Sequence, residues 1–141
     1  MKYTVFGMTY VIRLDPGEDI KESLASLCLR DGIGFGWFSG IGSVARAEVG
    51  FYSEAGRAYE MRPVEGPREV VSLLGNVARV DGRPFIHAHV LLAGPDLAVV
   101  GGHLGEAVVG TSCEIVLTRV QDVIGRKKDP ATGFAGLDLK P

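Results

Sequence analysis

The segment from residue 70 to residue 92 constrains this chain more than any other. Val70-Val71-Ser72-Leu73-Leu74-Gly75-Asn76-Val77-Ala78 is rich in β-formers, and Phe85-Ile86-His87-Ala88-His89-Val90-Leu91-Leu92 follows after Asp81-Gly82. Aspartate and glycine tolerate the positive φ of a two-residue turn, so the pair between two apolar runs predicts a hairpin. The return strand is apolar on both faces. In a chain of 141 residues, the length of one domain, such a strand needs cover from a helix or another subunit. The sequence therefore predicts one domain over 1–141, with a polar C-terminal tail over 125–141, and a homo-oligomer.

The remaining pattern is mostly of period two. Residues 1–14 read as one strand, with Val5, Tyr10, Ile12 and Leu14 supplying apolar faces. Ala45, Ala47, Val49 and Phe51 alternate with polar or small residues, 98–102 and 114–120 read as further strands, and 53–67 as a polar loop or short edge strand. Only one stretch has helical spacing. Ile20, Leu24, Leu27 and Cys28 share one face, Asp15-Pro16-Gly17-Glu18 precedes them as an entry, and Gly32 follows as a stop, which predicts a helix over about 18–31. The expectation is an α+β fold: a large, mostly antiparallel, barrel-like sheet with one main amphipathic helix and minor helical pieces.

Charge and motif context exclude several functions. Fifteen basic and seventeen acidic residues give a net charge of −2, which leaves no global surplus for gripping phosphates. No apolar run is long enough to span a membrane, and the start lacks a secretory leader pattern, so a cytoplasmic location is expected. Cys28 and Cys113 lie far apart and suit two reduced core thiols. The glycine-rich stretch Gly34-Phe35-Gly36-Trp37-Phe38-Ser39-Gly40-Ile41-Gly42 follows a helix and opens into a strand, the reverse of a dinucleotide-binding loop. Its glycines suit sharp turns or close passage of another segment. Gly82-Arg83-Pro84 has the core of an AT-hook, but it lies in a hairpin turn beside Asp81 and lacks a basic flexible arm.

The histidines carry the chemistry. The chain has three, at 87, 89 and 103. His87 and His89, two apart on a strand, leave the same face. Two charged imidazoles there repel and burial disfavours their charge, whereas a divalent ion accepts two neutral nitrogens. The Gly94-Pro95-Asp96 turn returns the chain so that His103 arrives beside the pair, and three histidines with an open position match a catalytic zinc site. The alternative is packing, with each ring bonded to backbone or carboxylate. Glu69 and Glu114 stand at the heads of apolar strands. Glu114 suits a fourth ligand, a carboxylate orienting a histidine, or a general acid/base, and an exposed strand end or an arginine pair accounts for either glutamate equally well.

Five segments together resemble the PPC (plants and prokaryotes conserved) domain: Gly40-Ile41-Gly42-Ser43-Val44, Glu69 to Asn76, Asp81 to Val90, Val100-Gly101-Gly102-His103-Leu104, and Cys113-Glu114-Ile115. The resemblance implies an α+β fold and a homotrimer. It implies a metal on His87, His89 and His103, zinc being the expected ion, and a fold similar to acetolactate decarboxylase, a three-histidine zinc enzyme. It also implies DNA association or protein interaction, because plant members accompany AT-hooks and free-standing prokaryotic members are often labelled DNA-binding. The expected function is thus a metal-binding protein, in one version an enzyme on a small oxygen-rich molecule with Glu69 and Glu114 as candidate catalytic groups. The alternative is a DNA-binding or interaction module with structural histidines.

Overall fold

The computed structural model describes residues 1–140. Its strands are β1 (Lys2–Phe6), β2 (Thr9–Leu14), β3 (Phe35–Ser53), β4 (Ala58–Val64), β5 (Arg68–Val80), β6 (Arg83–Ala93), β7 (Val99–Val120), β8 (Arg126–Lys128) and β9 (Ala135–Leu137), and its helix is α1 (Ile20–Arg30). The first seven strands form one sheet in the order β1-β2-β7-β6-β5-β3-β4, and every pairing in it is antiparallel. β3 also pairs with β7, which bends β3, β5, β6 and β7 into a partly closed ring. β8 and β9 make a separate small hairpin. The α+β architecture follows, with α1 the sole helix among the described residues and no minor helical pieces.

The helix starts later than its sequence pattern suggests. Asp15-Pro16-Gly17-Glu18 is a turn in which the Glu18 carboxylate accepts the Asp15 N–H at 2.7 Å. Asp19 is the N-cap, its side chain accepting the Glu22 N–H at 2.8 Å and, through its second oxygen, the Ala107 N–H at 2.9 Å. One carboxylate thus caps α1 and pins it to β7. At the far end Gly32 has φ +65° and the Ile33 N–H reaches the Cys28 carbonyl at 2.9 Å, a glycine-terminated cap. Ile20, Leu24, Leu27 and Cys28 are fully buried against the sheet. Both thiols lie in the core, and burial pushes Cys28 up to about 12 and Cys113 to about 11.

Three local expectations are corrected. Residues 1–14 are two strands, with a turn at Gly7-Met8 and Gly7 at φ +61°. From Phe35 onward the glycine-rich stretch lies inside β3, so its glycines serve the close passage of another segment rather than turns. A Cβ at Gly40 would stand 2.7 Å from the Glu114 carbonyl, so β3 needs glycine there to lie against β7. β7 is one 22-residue strand, not two short ones. It stays continuous because bulges absorb its bending, and one of them shifts the register between Ala47↔Ala107 and Val49↔Leu104. Before that bulge the even-numbered Leu104 faces the core, and after it the odd-numbered Ala107 and Val109 do.

β6 keeps strict alternation. Ile86, Ala88, Val90 and Leu92 are buried in the core, so Phe85, His87, His89 and Leu91 occupy the outer face.

Candidate metal centre

The register brings the three histidines together. His89 on β6 is directly opposite His103 on β7, and His87 stands two residues before His89 on the same face. One ligand atom from each ring lies within 4.8 Å of the others. Ring centroids are 5.1 Å apart for His87–His103, 5.3 Å for His87–His89 and 5.7 Å for His89–His103.

His103 sits where β7 changes partners. It pairs with His89 on β6 and with Gly50 on β3. Gly102 makes this junction possible, because a Cβ there would stand 2.5 Å from the Gly50 carbonyl oxygen. His103 also precedes the bulge that inverts the later part of β7, so it shares the outer face with His89 while Leu104 enters the core.

The imidazoles are poor packing groups and good ligands. His87 Nε2 and His103 Nδ1 are buried and have no hydrogen-bond partner. An unpaired buried nitrogen costs about 1–3 kcal/mol, a cost an ion at that atom removes. Burial first, then the Arg126 cation, pushes His87 down to about 4. Burial first, then His87, pushes His103 down to about 4. Both rings are therefore neutral at pH 7, the form that binds a metal. Tyr59 of β4 stacks on His103 at 3.8 Å between centroids and fixes that ring. Three nitrogen donors with no thiolate suit a zinc-class divalent ion with an open position.

A cavity of about 220 Å³ adjoins His87 and His103, and its walls come from β3, β4, β6, β7 and the β8–β9 hairpin. Tyr52, Tyr59, Phe85, Phe134 and Arg126 contribute to it. Residues 53–67 hold the edge strand β4, the second of the two readings of that stretch, and supply Tyr59, whereas the tail from residue 125 supplies Arg126 and Phe134. No local pattern marks them, because each reaches the histidines only through tertiary folding.

Neither glutamate joins the cluster within one chain. Glu114 is eleven residues beyond His103 on β7, opposite Arg13 and Ile41, and it lies in an apolar groove with Val11, Leu74 and Val116. Glu69 is opposite Ser43 and Ala93, at one end of the β5–β6 ladder, and seven residues along β5 from Asn76, the partner of His87. The continuity of β7 and β5 places both carboxylates along the strands from the imidazoles, outside the three-histidine group.

The sequence profile of the Plants and Prokaryotes Conserved (PCC) domain matches residues 1–121. A solved protein of Ralstonia eutropha that carries the name "Putative DNA-binding protein" is 29% identical, with a TM-score of 0.93 over 99% of this chain and 96% of that one. A metal-containing protein of Archaeoglobus fulgidus is 35% identical, with a TM-score of 0.84 over 95% of this chain and 94% of that one. Acetolactate decarboxylase of Bacillus subtilis shares the fold alone, at 11% identity and a TM-score of 0.59 over 80% of this chain and 53% of that one. The bifunctional protein GlmU of a Synechococcus species is 30% identical over 94% of this chain, which spans only 20% of that protein's length.

Proposed function

This chain belongs to the Plants and Prokaryotes Conserved domain family, and from that premise we propose that it is a metal-binding member whose His87, His89 and His103 hold a zinc-class divalent ion. The observation that carries the reading is the pair of buried, unpartnered nitrogens, His87 Nε2 and His103 Nδ1, inside a three-histidine cluster. The metal-containing Archaeoglobus neighbour supports it. When bound, such an ion acts as a Lewis acid or lowers the pKa of a bound water. The chain's own contribution is positional: Tyr59 holds the His103 ring, and Tyr52, Phe85 and Phe134 line the cavity beside it. Protein purified without a histidine tag is expected to carry about one zinc-class ion per chain by elemental analysis. A His87→Ala/His89→Ala variant is expected to carry none. Equal metal content in the two would sink the reading.

The second reading is a DNA-binding or protein-interaction module, and similarity to known proteins speaks for it more directly. The Ralstonia neighbour's name supports it, as does family membership. The charge of −2 weighs against a phosphate grip. The single basic triplet, Arg126-Lys127-Lys128, has Arg126 drawn into the cavity wall. DNA binding predicts a duplex affinity that falls steeply as salt rises. No gel shift with any duplex at low salt would remove that version.

We propose in addition that the chain assembles as a homotrimer. Ile41, Leu74 and Trp37 are 59%, 60% and 55% exposed on the outer sheet face, an apolar surface that a second copy would cover. No helix among the described residues is long and apolar enough to cross a membrane. A cytoplasmic site of action goes with this proposal.

A further inference from the structure

The cavity beside the histidines has an apolar wall and a single-sign charge. Tyr52 packs edge-on against Tyr59 at 5.2 Å and against Phe134 at 5.6 Å, so the wall is built before any ligand arrives. Arg126 lies in the same lining, its guanidinium 5.2 Å from the Phe85 ring centre. Its Nη1 donates to the Ala135 carbonyl at 2.7 Å and its Nη2 to the Asn76 side-chain oxygen at 2.8 Å. Both acceptors are neutral. The Nε is buried and donates to nothing. Among the described residues no ion pair includes Arg126, and no aspartate or glutamate lines the cavity.

A half-buried cation held in place by neutral acceptors and lacking a counter-ion is costly unless an anion arrives. The guanidinium is a flat fork whose geometry matches a carboxylate. The aromatic wall suits a flat apolar body, and about 220 Å³ admits only a small molecule. We propose that this cavity binds small carboxylates with a flat apolar body, Arg126 taking the carboxylate and Tyr59 and Phe134 the body. The inference rests on the metal reading only in that the ion, when present, is a second anchor for the same anion.

Benzoate and its neutral isostere benzamide test this by isothermal titration calorimetry, on zinc-loaded and on chelator-treated full-length protein. Benzoate is expected to bind both forms, more tightly with zinc, and benzamide on the order of tenfold more weakly or worse, as loss of a charge-assisted hydrogen bond predicts. Arg126→Gln is expected to lose at least about tenfold in benzoate affinity while benzamide affinity stays unchanged, which shows that the cavity is intact. Arg126→Lys, which keeps the charge but not the fork, should fall between. Equal benzoate affinity in Arg126→Gln and the parent, or no benzoate heat in either form, would overturn the proposal. If zinc fails to bind yet benzoate still requires Arg126, the metal reading falls and this one stands. If zinc binds and benzoate does not, the metal reading stands and this one falls.

Discussion

Two patches of the sheet's outer surface meet at the cross-strand pair Leu74–His89, and they differ in what covers them. On one side the histidines lie beside a cavity walled by β4 and the C-terminal hairpin, with Tyr59 stacked on His103. On the other, Ile41, Leu74 and Val116 stand open to solvent, with Glu114 among them. Both patches lie on the face opposite the one that β6 buries through Ile86, Ala88, Val90 and Leu92. Alternation alone therefore does not make a site. The histidine patch becomes one because distant elements wall it in and leave nitrogens unpaired. The apolar patch has no such cover within the chain, and its chemistry fits another copy instead.

The contrast is broken most forcefully at the apolar patch. Ile41→Asp places a carboxylate beside Glu114 in that surface, and burying it against a partner costs several kcal/mol. On the proposed trimeric assembly, sedimentation is expected to show a trimer for the parent and single chains for the variant, with metal content unchanged. A variant that stays trimeric, or a parent that sediments as a monomer, would refute the assignment of that face.

A second substitution pair, made in the Ile41→Asp background, separates core from surface. Leu104 is fully buried while Leu91 is 46% exposed. Leu104→Ala is expected to lower unfolding free energy by about 2–5 kcal/mol and Leu91→Ala by less than about 1 kcal/mol. Similar losses by urea denaturation would contradict the inner and outer assignment of β6 and β7.

The smallest effect concerns protons. Burial pushes His87 and His103 down to about 4, below the ordinary histidine value of 6.5. Above pH 6.5 the folded and unfolded chains bind the same number of protons at these rings, so stability does not depend on pH through them. As pH falls from 6.5 towards 4, the unfolded chain takes up protons that the fold refuses, and the melting temperature of metal-free protein should fall. His87→Gln should flatten that decline, whereas Leu91→Ala should leave it unchanged. A parent whose melting temperature is flat over that window would show that the rings are not buried neutral.

The hairpin of β5 and β6 and the buried face of α1 are legible in sequence, because apolar runs flank a turn dipeptide in the one and recur at helical spacing in the other. The three-histidine grouping is legible too, since an HxH on a strand and a return after Gly94-Pro95-Asp96 imply contact. What escapes local reading is parity and distance. The bulge between Ala47 and Val49 changes which residues of β7 face the core, and no spacing in β7 announces it. The start of α1 is displaced because Asp19, not Asp15, finds the backbone of β7 as a second partner. Tyr59 lies in a stretch that reads as a loop or short edge strand and Arg126 and Phe134 in one that reads as tail, and only their tertiary position makes them walls of the cavity. Glu114 shows the converse. Adjacent to Cys113 at the head of an apolar run, it looks chemically placed, but the length of β7 carries it away from His103 along the strand.

The double pairing of His103, with His89 on one side and Gly50 on the other, makes the cluster a reader of register. A slip of one residue between β6 and β7 would turn His103 to the other face and dissolve the three-nitrogen group. An ion that needs all three rings binds only the correctly threaded sheet, and by mass action it draws misaligned chains toward it. In a protein whose longest strand is interrupted by bulges, the cofactor would thus proofread the fold as well as occupy it.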